Sequence, residues 1–446
     1  MSDHLKPFLV LVAALTFTVT SCRATNPTAE ALTKPSIRPL TDIRFESNAK
    51  RLKRGRYLSE GVLQCFLCHT DRDWTKPGAP PIEERKGAGH DWSEDTPGLV
   101  APNITPDKET GAGNWTDDML ARAIREGISH DGRVLDLQMF SPSYRFLSDE
   151  DLASVIVYLR SLKPIRNPLP QTKLEKFPDP LTPLTVPVAE PDLSTPAARG
   201  RYLVRIGTCL GCHTAFFSPL APGYFGGGDP VKRGKELAFS ANLTSDPSGI
   251  LSYYDESLFL ETLRTGKVKA RKLSGVMPWI AVGKMTDEDL KSIFAYLKTR
   301  RPVQHIVDNT EPPTFCPRCG QMHGFGDRNM EKDLSFHNSG PASDALSQSL
   351  PAGSSIGGFD PANFNSYVGS YRTADDWVFT ISRNGNRLMV QNGLNGPTYQ
   401  LFAISEIEFT CKEIPEVISF VKNERGEVTH LLYNIDDLAP RVSLQR

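Results

Sequence analysis

The stretch Cys65-Phe66-Leu67-Cys68-His69 decides the fold of the first half of this chain, and Cys209-Leu210-Gly211-Cys212-His213 repeats its pattern. In each stretch the two cysteines lie one helical turn apart, with a histidine directly after them. This spacing is the attachment signature of a c-type haem, in which both thiols add to the porphyrin and the histidine ligates the iron. Zinc or disulfide sites are the alternative. Two copies with matching flanks favour two covalently bound haem c groups, held by Cys65, Cys68, Cys209 and Cys212, with His69 and His213 as proximal ligands.

The two motifs lie inside a longer internal repeat. Arg-Gly-Arg-Tyr-Leu precedes both motifs, at 54–58 and 199–203, and Ser/Thr-Asp-Glu-Asp-Leu follows both, at 148–152 and 286–290. Ser148 and Thr286 are good helix N-caps with acidic residues behind them, which predicts helices at about 149–161 and 287–299. Further helices are expected from near Thr116 and Asp255. The sequence thus predicts two tandem, mainly α-helical cytochrome c domains, at 45–165 and 195–305.

A methionine occupies corresponding places in the two repeats. Met139 lies nine residues before Ser148, and Met277 lies nine residues before Thr286. Core packing is the ordinary role of a single methionine, but the paired placement favours a thioether as the distal iron ligand in both units. Two filled axial positions leave no open site on the iron, which favours electron transfer over catalysis.

The N-terminal segment 1–22 is typical of an export signal. Lys6 supplies a positive charge, and the apolar stretch 8–20 is too short to span a bilayer. The end of this stretch, Val19-Thr20-Ser21-Cys22, resembles the lipobox of bacterial lipoproteins, so that Cys22 would carry the lipid. An ordinary cleaved signal is the alternative. We therefore expect a periplasm-facing, lipid-anchored protein, and the net charge of −1 gives no reason to expect a nucleic-acid partner.

The remaining segments differ from the haem units. Residues 163–196 carry nine prolines, so 166–194 is predicted to be a semi-rigid strap over the neighbouring haem unit. A Cys-containing extension at 306–330 precedes a flexible linker at 331–362 rich in Ser, Gly and Pro. The tail at 363–446 alternates with period two and contains Asn384-Gly385 as a hairpin turn, which predicts a small antiparallel, barrel-like β domain.

The extension holds a third cysteine pair, Cys316-Pro317-Arg318-Cys319, with Gly320 where a haem motif needs histidine. A local disulfide is our first expectation for this pair, and a metal knuckle with His323 or free thiols are the alternatives. A fourth zinc ligand is not evident from the sequence. We expect His90, His130 and His305 on the surface or in loops, and Cys411 as a small buried residue of a strand.

These motifs resemble the class I cytochrome c domains of multihaem dehydrogenase subunits, such as the membrane-bound cytochrome subunit of bacterial alcohol dehydrogenases. The resemblance covers about 45–305. It rests on Asn103-Ile104-Thr105-Pro106-Asp107, on Gly113-Asn114-Trp115-Thr116-Asp117-Asp118, on Met139 and on 147–152. It implies covalent haem at the four cysteines, His69 and His213 as proximal ligands, and Met139 and Met277 as distal ligands. Such relatives carry three haems, whereas this chain has two motifs. The tail, from Tyr367-Val368-Gly369-Ser370-Tyr371 through Gly426-Glu427-Val428, resembles a small lipocalin-like β module often appended to exported serine hydrolases.

The function expected from these observations is that of a dihaem electron carrier without bond-making chemistry of its own. It would take electrons from a dehydrogenase or quinol and pass them towards a terminal acceptor. The alternative is a dihaem peroxidase or thiosulfate-type oxidoreductase, in which one iron lacks methionine and His90 or His130 replaces Met139. A third possibility makes the β tail a binding module, with the haem units as its redox reporter.

Overall fold

The computed structural model describes residues 37–442 except for 179, 182, 185–186, 215–222, 234–235, 310–312, 317–318, 325–360, 373–377, 393–397, 404–405, 412–416, 424 and 434–436. The export signal, the lipobox at Cys22 and nearly all of the predicted linker lie outside the described residues. Within the part described, no helix is both long enough and apolar enough to cross a bilayer.

The first repeat is built from five α-helices and one short strand pair. The helices are α1 Ala49–Tyr57, α2 Cys65–Cys68, α3 Asp117–Glu126, α4 Ser141–Tyr144 and α5 Asp149–Arg160, and the strands are β1 His90–Asp91 and β2 Val100–Ala101. A π-helical turn, Leu58–Val62, carries the chain from α1 towards the first motif. Ser148 caps α5 by accepting a hydrogen bond from the Asp151 amide, and Thr116 caps α3 in the same way. The helix starts at Thr116 and Ser148 are therefore confirmed.

The second repeat follows the same order of helices. They are α6 Pro196–Ile206, α7 Cys209–His213, α8 Glu256–Thr265, α9 Trp279–Val282 and α10 Asp287–Lys298. Its short strands are β3 Pro230–Arg233 with β4 Glu236–Phe239, and β5 Lys267–Val268 with β6 Arg271–Lys272. Asp255 and Thr286 are the N-caps of α8 and α10, as the sequence predicts. The two repeats share one hydrophobic core, and whether each is a domain in its own right stays a prediction.

One glycine in each repeat allows the first and last helices to cross closely. A Cβ on Gly55 of α1 would lie 1.9 Å from the Ser154 carbonyl oxygen of α5, and a Cβ on Gly200 of α6 would lie 1.9 Å from the Ser292 carbonyl oxygen of α10. Neither position tolerates a side chain without moving the backbone. The glycine of each Arg-Gly-Arg-Tyr-Leu stretch therefore sets the helix–helix distance beneath its motif.

The proline-rich segment lies along the first repeat without forming a described helix or strand. The Lys173 amide donates to the Gly98 carbonyl at 2.8 Å, and the Asp149 amide donates to the Val188 carbonyl at 3.0 Å. The Thr172 hydroxyl also donates to the Val100 carbonyl at 2.9 Å. These bonds hold parts of the segment against the first repeat, and the strap at 166–194 as a separate unit stays a prediction.

The chain then forms a hairpin and a separate β module. The hairpin pairs β7 Pro313–Cys316 with β8 Gln321–Gly324. The module is a closed antiparallel barrel in which each strand pairs with the next and the last pairs with the first. Its strands are β9 Gly369–Arg372, β10 Val378–Asn384, β11 Arg387–Asn392, β12 Thr398–Ala403, β13 Glu408–Cys411, β14 Val417–Lys422, β15 Val428–Tyr433 and β16 Asp437–Val442. The expected β module is present, and Cys411 is buried in it as predicted. The pairing of β9 with β16 closes the barrel.

Candidate functional site

Both Cys-x-x-Cys-His motifs begin with the same unusual backbone conformation. Gln64, directly before Cys65, has φ +58°, and Thr208, directly before Cys209, has φ +59°. Side-chain-bearing residues rarely adopt this left-handed conformation. It turns the chain sharply from the preceding helix into the motif helix. The repeated conformation indicates that the two motifs present their side chains in the same local geometry.

The two motif histidines are oriented by equivalent hydrogen bonds. Nδ1 of His69 lies 2.8 Å from the Pro102 carbonyl oxygen, and Nδ1 of His213 lies 2.8 Å from the Ala241 carbonyl oxygen. Because a carbonyl only accepts, each Nδ1 carries the proton and each Nε2 has a lone pair to offer. Burial lowers the pKa of both imidazoles. This is the state and the outer hydrogen bond that a metal-ligating histidine requires.

A largely apolar cavity adjoins the first motif. Its lining includes Cys65, Cys68 and His69 on one side and Met139 on another, with side chains of α3 and α5 completing it. Leu120, Ile124, Val155 and Leu159 supply apolar surface, and Arg133 supplies a cation. The predicted ligand Met139 thus shares one cavity with the predicted attachment residues. The assignment of Met139 as a ligand itself stays a prediction.

The second motif has corresponding parts. Met277 lies in the loop before α9 and packs, half-buried, against the shared core, as Met139 does in the first repeat. Cys209 also packs against that core. The described residues therefore place one thiol and the methionine of the second predicted site around the same body of apolar side chains, and Met277 stays a predicted ligand.

The residues of the first site fit a covalently held haem. An apolar cavity suits the porphyrin, the two cysteines can form the thioether bonds, and the oriented histidine can bind iron. Burial raises the pKa of the Cys65 thiol and of the Cys209 thiol to about 12. Both groups are therefore neutral at ordinary pH, which suits residues that end as uncharged thioethers.

The two motifs approach each other directly. Nε2 of Gln64, the residue before Cys65, donates to the carbonyl of Gly207, two residues before Cys209, at 3.3 Å. A Cβ on Gly211, inside the second motif, would lie 3.7 Å from the ring of Phe140, the residue after Met139. Elements of the first predicted haem site are thus in contact with elements of the second.

His90 and His130 do not line the cavity beside the first motif, but each packs on a tryptophan that does, Trp92 and Trp115 respectively. Nδ1 of His90 lies 2.7 Å from an Asp71 carboxylate oxygen, and the His130 ring stacks on Trp115 at 4.4 Å. His130 lies in a turn, as expected, whereas His90 is the half-buried first residue of strand β1. His305 lies outside any described helix or strand, as expected, but it is not on the surface, since it is 2 % exposed. Its backbone is irregular, but its side chain is held inside the protein by the contacts described below.

The chain is similar in sequence to several known c-type cytochromes and cytochrome subunits. The chain is 30% identical to the fructose dehydrogenase cytochrome subunit of Gluconobacter japonicus over 65% of its own length and 58% of the relative's. It is 27% identical to the cytochrome c subunit of the quinone-dependent alcohol dehydrogenase of Gluconobacter oxydans, over 56% of this chain and 54% of the relative. A dihaem c-type cytochrome of Cereibacter sphaeroides is 28% identical over 34% of this chain and 53% of its own length.

The matches thus span a little over half the length of these three relatives. No family model matches the chain. The resemblance to dehydrogenase cytochrome c subunits is confirmed, and it supports an electron-transfer cytochrome with covalently bound haem c.

Proposed function

We propose that this chain is a periplasmic, membrane-anchored dihaem cytochrome c that carries electrons from a dehydrogenase or quinol towards a terminal acceptor. The observation that carries the proposal is the hydrogen bond from Gln64 to the Gly207 carbonyl, which links the two attachment motifs. Electron transfer between cofactors needs them close together in a rigid, largely dry setting. Two motifs in direct contact within one hydrophobic core supply that setting.

Bound haem supplies a one-electron couple at each site. The residues of this chain hold and tune it: His69 and His213 offer Nε2 because Nδ1 donates to a carbonyl, and Met139 and Met277 are the proposed sulfur ligands. Thioether ligation raises the reduction potential relative to a second histidine. The apolar side chains of α3 and α5 exclude water from the first site.

The electron donor and the location of the protein are proposed from the relatives and from the N-terminal sequence. The relatives named above are, by name, subunits of fructose and alcohol dehydrogenases, which supports a dehydrogenase as the donor. The lipobox-like end of the apolar N-terminal stretch supports an anchor at Cys22 and export from the cytoplasm. In this proposal the chain makes no substrate bond of its own.

The proposal is tested on the full chain, produced in a bacterial host with the haem attachment machinery. Spectroscopy of the oxidised protein is expected to show two six-coordinate low-spin haems, and reductive titration is expected to consume two electrons per chain. Reduced ubiquinone is used as the donor probe. A five-coordinate iron that turns over hydrogen peroxide would overturn the carrier assignment in favour of a peroxidase.

The matched control removes one site at a time. Replacing both Cys65 and Cys68 by serine is expected to leave one haem and one electron equivalent per chain, and the Cys209/Cys212 double variant is expected to do the same. If a double variant still accepts two electrons, the corresponding motif does not hold a haem. The two variants thereby show how many haem sites the chain has, without reference to its similarity to other proteins.

A further inference from the structure

Four metal-binding side chains gather away from both predicted haem sites. They are His305, Cys316, Cys319 and His323, and their four donor atoms all lie within 4.8 Å of one another. All four residues are buried, and His323 is completely so. Nε2 of His305 lies 3.0 Å from Nε2 of His323. Nothing in the proposed electron transfer uses this cluster.

The hairpin of β7 and β8 brings three of the four residues together. Cys316 ends β7, Cys319 lies in the turn, and His323 lies on β8 opposite Thr314. The Gly320 amide donates to the Cys316 carbonyl at 2.9 Å, and Gly320 has φ +70°, which glycine adopts without strain. This tight turn directs both thiols to the same side as the His323 imidazole. The two thiols are hydrogen-bonded and not joined by a disulfide, so the disulfide expectation is not met.

The fourth residue is explained by comparing the two repeats. In the first repeat the Asn167 side chain donates to the Ala88 carbonyl at 2.9 Å, two residues after Ile165, whose carbonyl accepts from Asn103. In the second repeat Nδ1 of His305 bonds to the Gly226 carbonyl at 2.8 Å, two residues after Val303, whose carbonyl accepts from Asn242. His305 therefore stands where the first repeat has Asn167 and makes the same bond.

Unlike the asparagine amide, the histidine ring has two nitrogens, and Nε2 lies on the side of the ring away from the bond to Gly226. Because Nδ1 is the donor to the Gly226 carbonyl, Nε2 has a lone pair, and it faces the Cys/His cluster. The first repeat has no such cluster beside Asn167 among its described residues. Among the described residues, the exchange of asparagine for histidine therefore falls beside a Cys/His cluster, where an additional nitrogen can serve as a metal ligand.

We propose that His305, Cys316, Cys319 and His323 bind one structural zinc ion. Two thiolates and two imidazoles are a tetrahedral zinc ligand set. With zinc–nitrogen bonds of about 2.0–2.1 Å, two nitrogens of a tetrahedral site lie about 3.4 Å apart. The two Nε2 atoms, at 3.0 Å, need to move apart only slightly. Because the protein fills all four positions, the site is closed and has no place for a substrate.

The zinc would fasten the hairpin to the loop behind the second haem motif. The Gly226 carbonyl accepts a hydrogen bond from the His305 ring. The amide of the following residue, Gly227, donates to the His213 carbonyl at 2.9 Å. A Cβ on Gly228 would lie 2.5 Å from Cε1 of His305. One side of this loop therefore holds the proximal histidine of the second site, and the other side holds a zinc ligand. The ion stabilises this loop from outside the haem.

The test measures zinc and haem on the same preparation of the full chain, after passage over a chelating resin. We expect about one zinc per chain in the wild-type protein, since a four-ligand buried site holds its ion tightly. His305→Asn introduces the residue of the first repeat and retains a donor to Gly226. We expect its zinc content, and that of Cys319→Ser, to fall at least about fivefold, with an unchanged number of haems per chain. His430→Asn, on the barrel, is the matched control and is expected to keep its zinc.

Several results would overturn the proposal. They are a wild-type chain that retains no zinc even after reduction and zinc addition, a Cys316–Cys319 disulfide found by mass spectrometry, iron in place of zinc, and full zinc binding by His305→Asn. The haem count separates these outcomes from a failure of the electron-transfer proposal, because it is measured independently. Gel filtration of each variant reports whether the chain is folded, and Cys319→Ser and His305→Asn perturb different segments.

Discussion

The Tyr202 hydroxyl donates a 2.7 Å hydrogen bond to Oδ2 of Asp151, so the second repeat binds the first through a fully buried contact. The reverse contact is also present, because the Tyr57 hydroxyl of the first repeat donates to Asp289 of the second. Each tyrosine also accepts from the backbone amide at the N-cap of the helix that it meets, Ser148 for Tyr202 and Thr286 for Tyr57. The two repeats therefore exchange identical contacts across their boundary.

Removing the Tyr202 hydroxyl is expected to destabilise the boundary between the repeats. In Tyr202→Phe the Asp151 carboxylate keeps Arg54 but loses a buried donor, and the Ser148 amide loses its acceptor. Hydrogen bonds to charged groups contribute about 1.5–3 kcal/mol, so we expect the free energy of unfolding to fall by about 2 kcal/mol. Denaturant titration measures it. Tyr253→Phe, at an exposed tyrosine, is the control, and equal losses in both variants would contradict this account.

The sequence predicts the elements of these contacts but not their exchange. Arg-Gly-Arg-Tyr-Leu and Asp-Glu-Asp-Leu are visible as repeats, and the arginine of the first does bind the aspartate of the second within one repeat, as Arg54 binds Asp151 at 2.7 Å. The tyrosine three residues later binds the other repeat. A one-dimensional pattern cannot distinguish these partners, because both repeats carry the same letters and only packing chooses between them.

The four proposed zinc ligands could also be identified only in part from the sequence. The pair Cys316 and Cys319 with His323 is local and is recognisable as a possible knuckle, whereas His305 lies eleven residues before Cys316, outside the Cys-x-x-Cys pattern. One signal was available. Aligning the repeats on Ser148 and Thr286 places His305 opposite Asn167, and a change from asparagine to histidine at a structural position calls for an explanation.

A methyl group at the close helix crossing is expected to prevent normal packing. In Gly55→Ala the new Cβ would overlap the Ser154 carbonyl oxygen of α5, and in Gly200→Ala it would overlap the Ser292 carbonyl oxygen of α10. The overlap forces backbone movement, and overpacking of this kind costs about 1–3 kcal/mol or more. We expect lower thermal stability and incomplete haem attachment in both variants.

The control for the crossing is a glycine with space beside it. A Cβ on Gly61 would lie 3.6 Å from Cγ of Met285, an ordinary contact, so Gly61→Ala is expected to retain near-normal stability. Differential scanning calorimetry of the three variants makes the comparison. If Gly55→Ala were as stable as Gly61→Ala, the crossing would be looser than the structure shows.

Replacing the proposed distal ligands one at a time is expected to change one haem each. Leucine retains the apolar bulk of methionine but lacks a ligand atom, so Met139→Leu and Met277→Leu should each remove one of two methionine–iron bonds. We expect each variant to lose about half of the weak red-edge absorption of the ferric protein and to show one haem of lower potential. Met389→Leu, in the barrel, is the control. Unchanged spectra in either ligand variant would exclude that methionine as a ligand.

Glu60 is expected to make folding stability depend on pH in the acid range. Burial opposes its ionisation, but the Tyr158 hydroxyl at 2.6 Å and the Lys86 ammonium at 3.1 Å lower the pKa of its carboxyl from 4.5 to about 2. Because the pKa is lower in the folded chain, the ionised form stabilises the fold above pH 4.5. As the pH falls from 4.5 towards 2, the unfolded chain takes up the proton first and this stabilisation is lost.

Glu60→Gln removes the charge and therefore the contribution of Glu60 to the pH dependence of stability. Lys284 of the second repeat also approaches Glu60, at 3.5 Å, so the loss includes a contact between repeats. Allowing for solvent screening, we expect the variant to be about 1–2 kcal/mol less stable at neutral pH. The difference from wild type should shrink as urea titrations move from pH 4.5 towards pH 2. Glu84→Gln, at an exposed glutamate, should follow the wild type throughout, and a Glu60→Gln deficit that persists at the acid end would mean that packing, and not charge, is what Glu60 contributes.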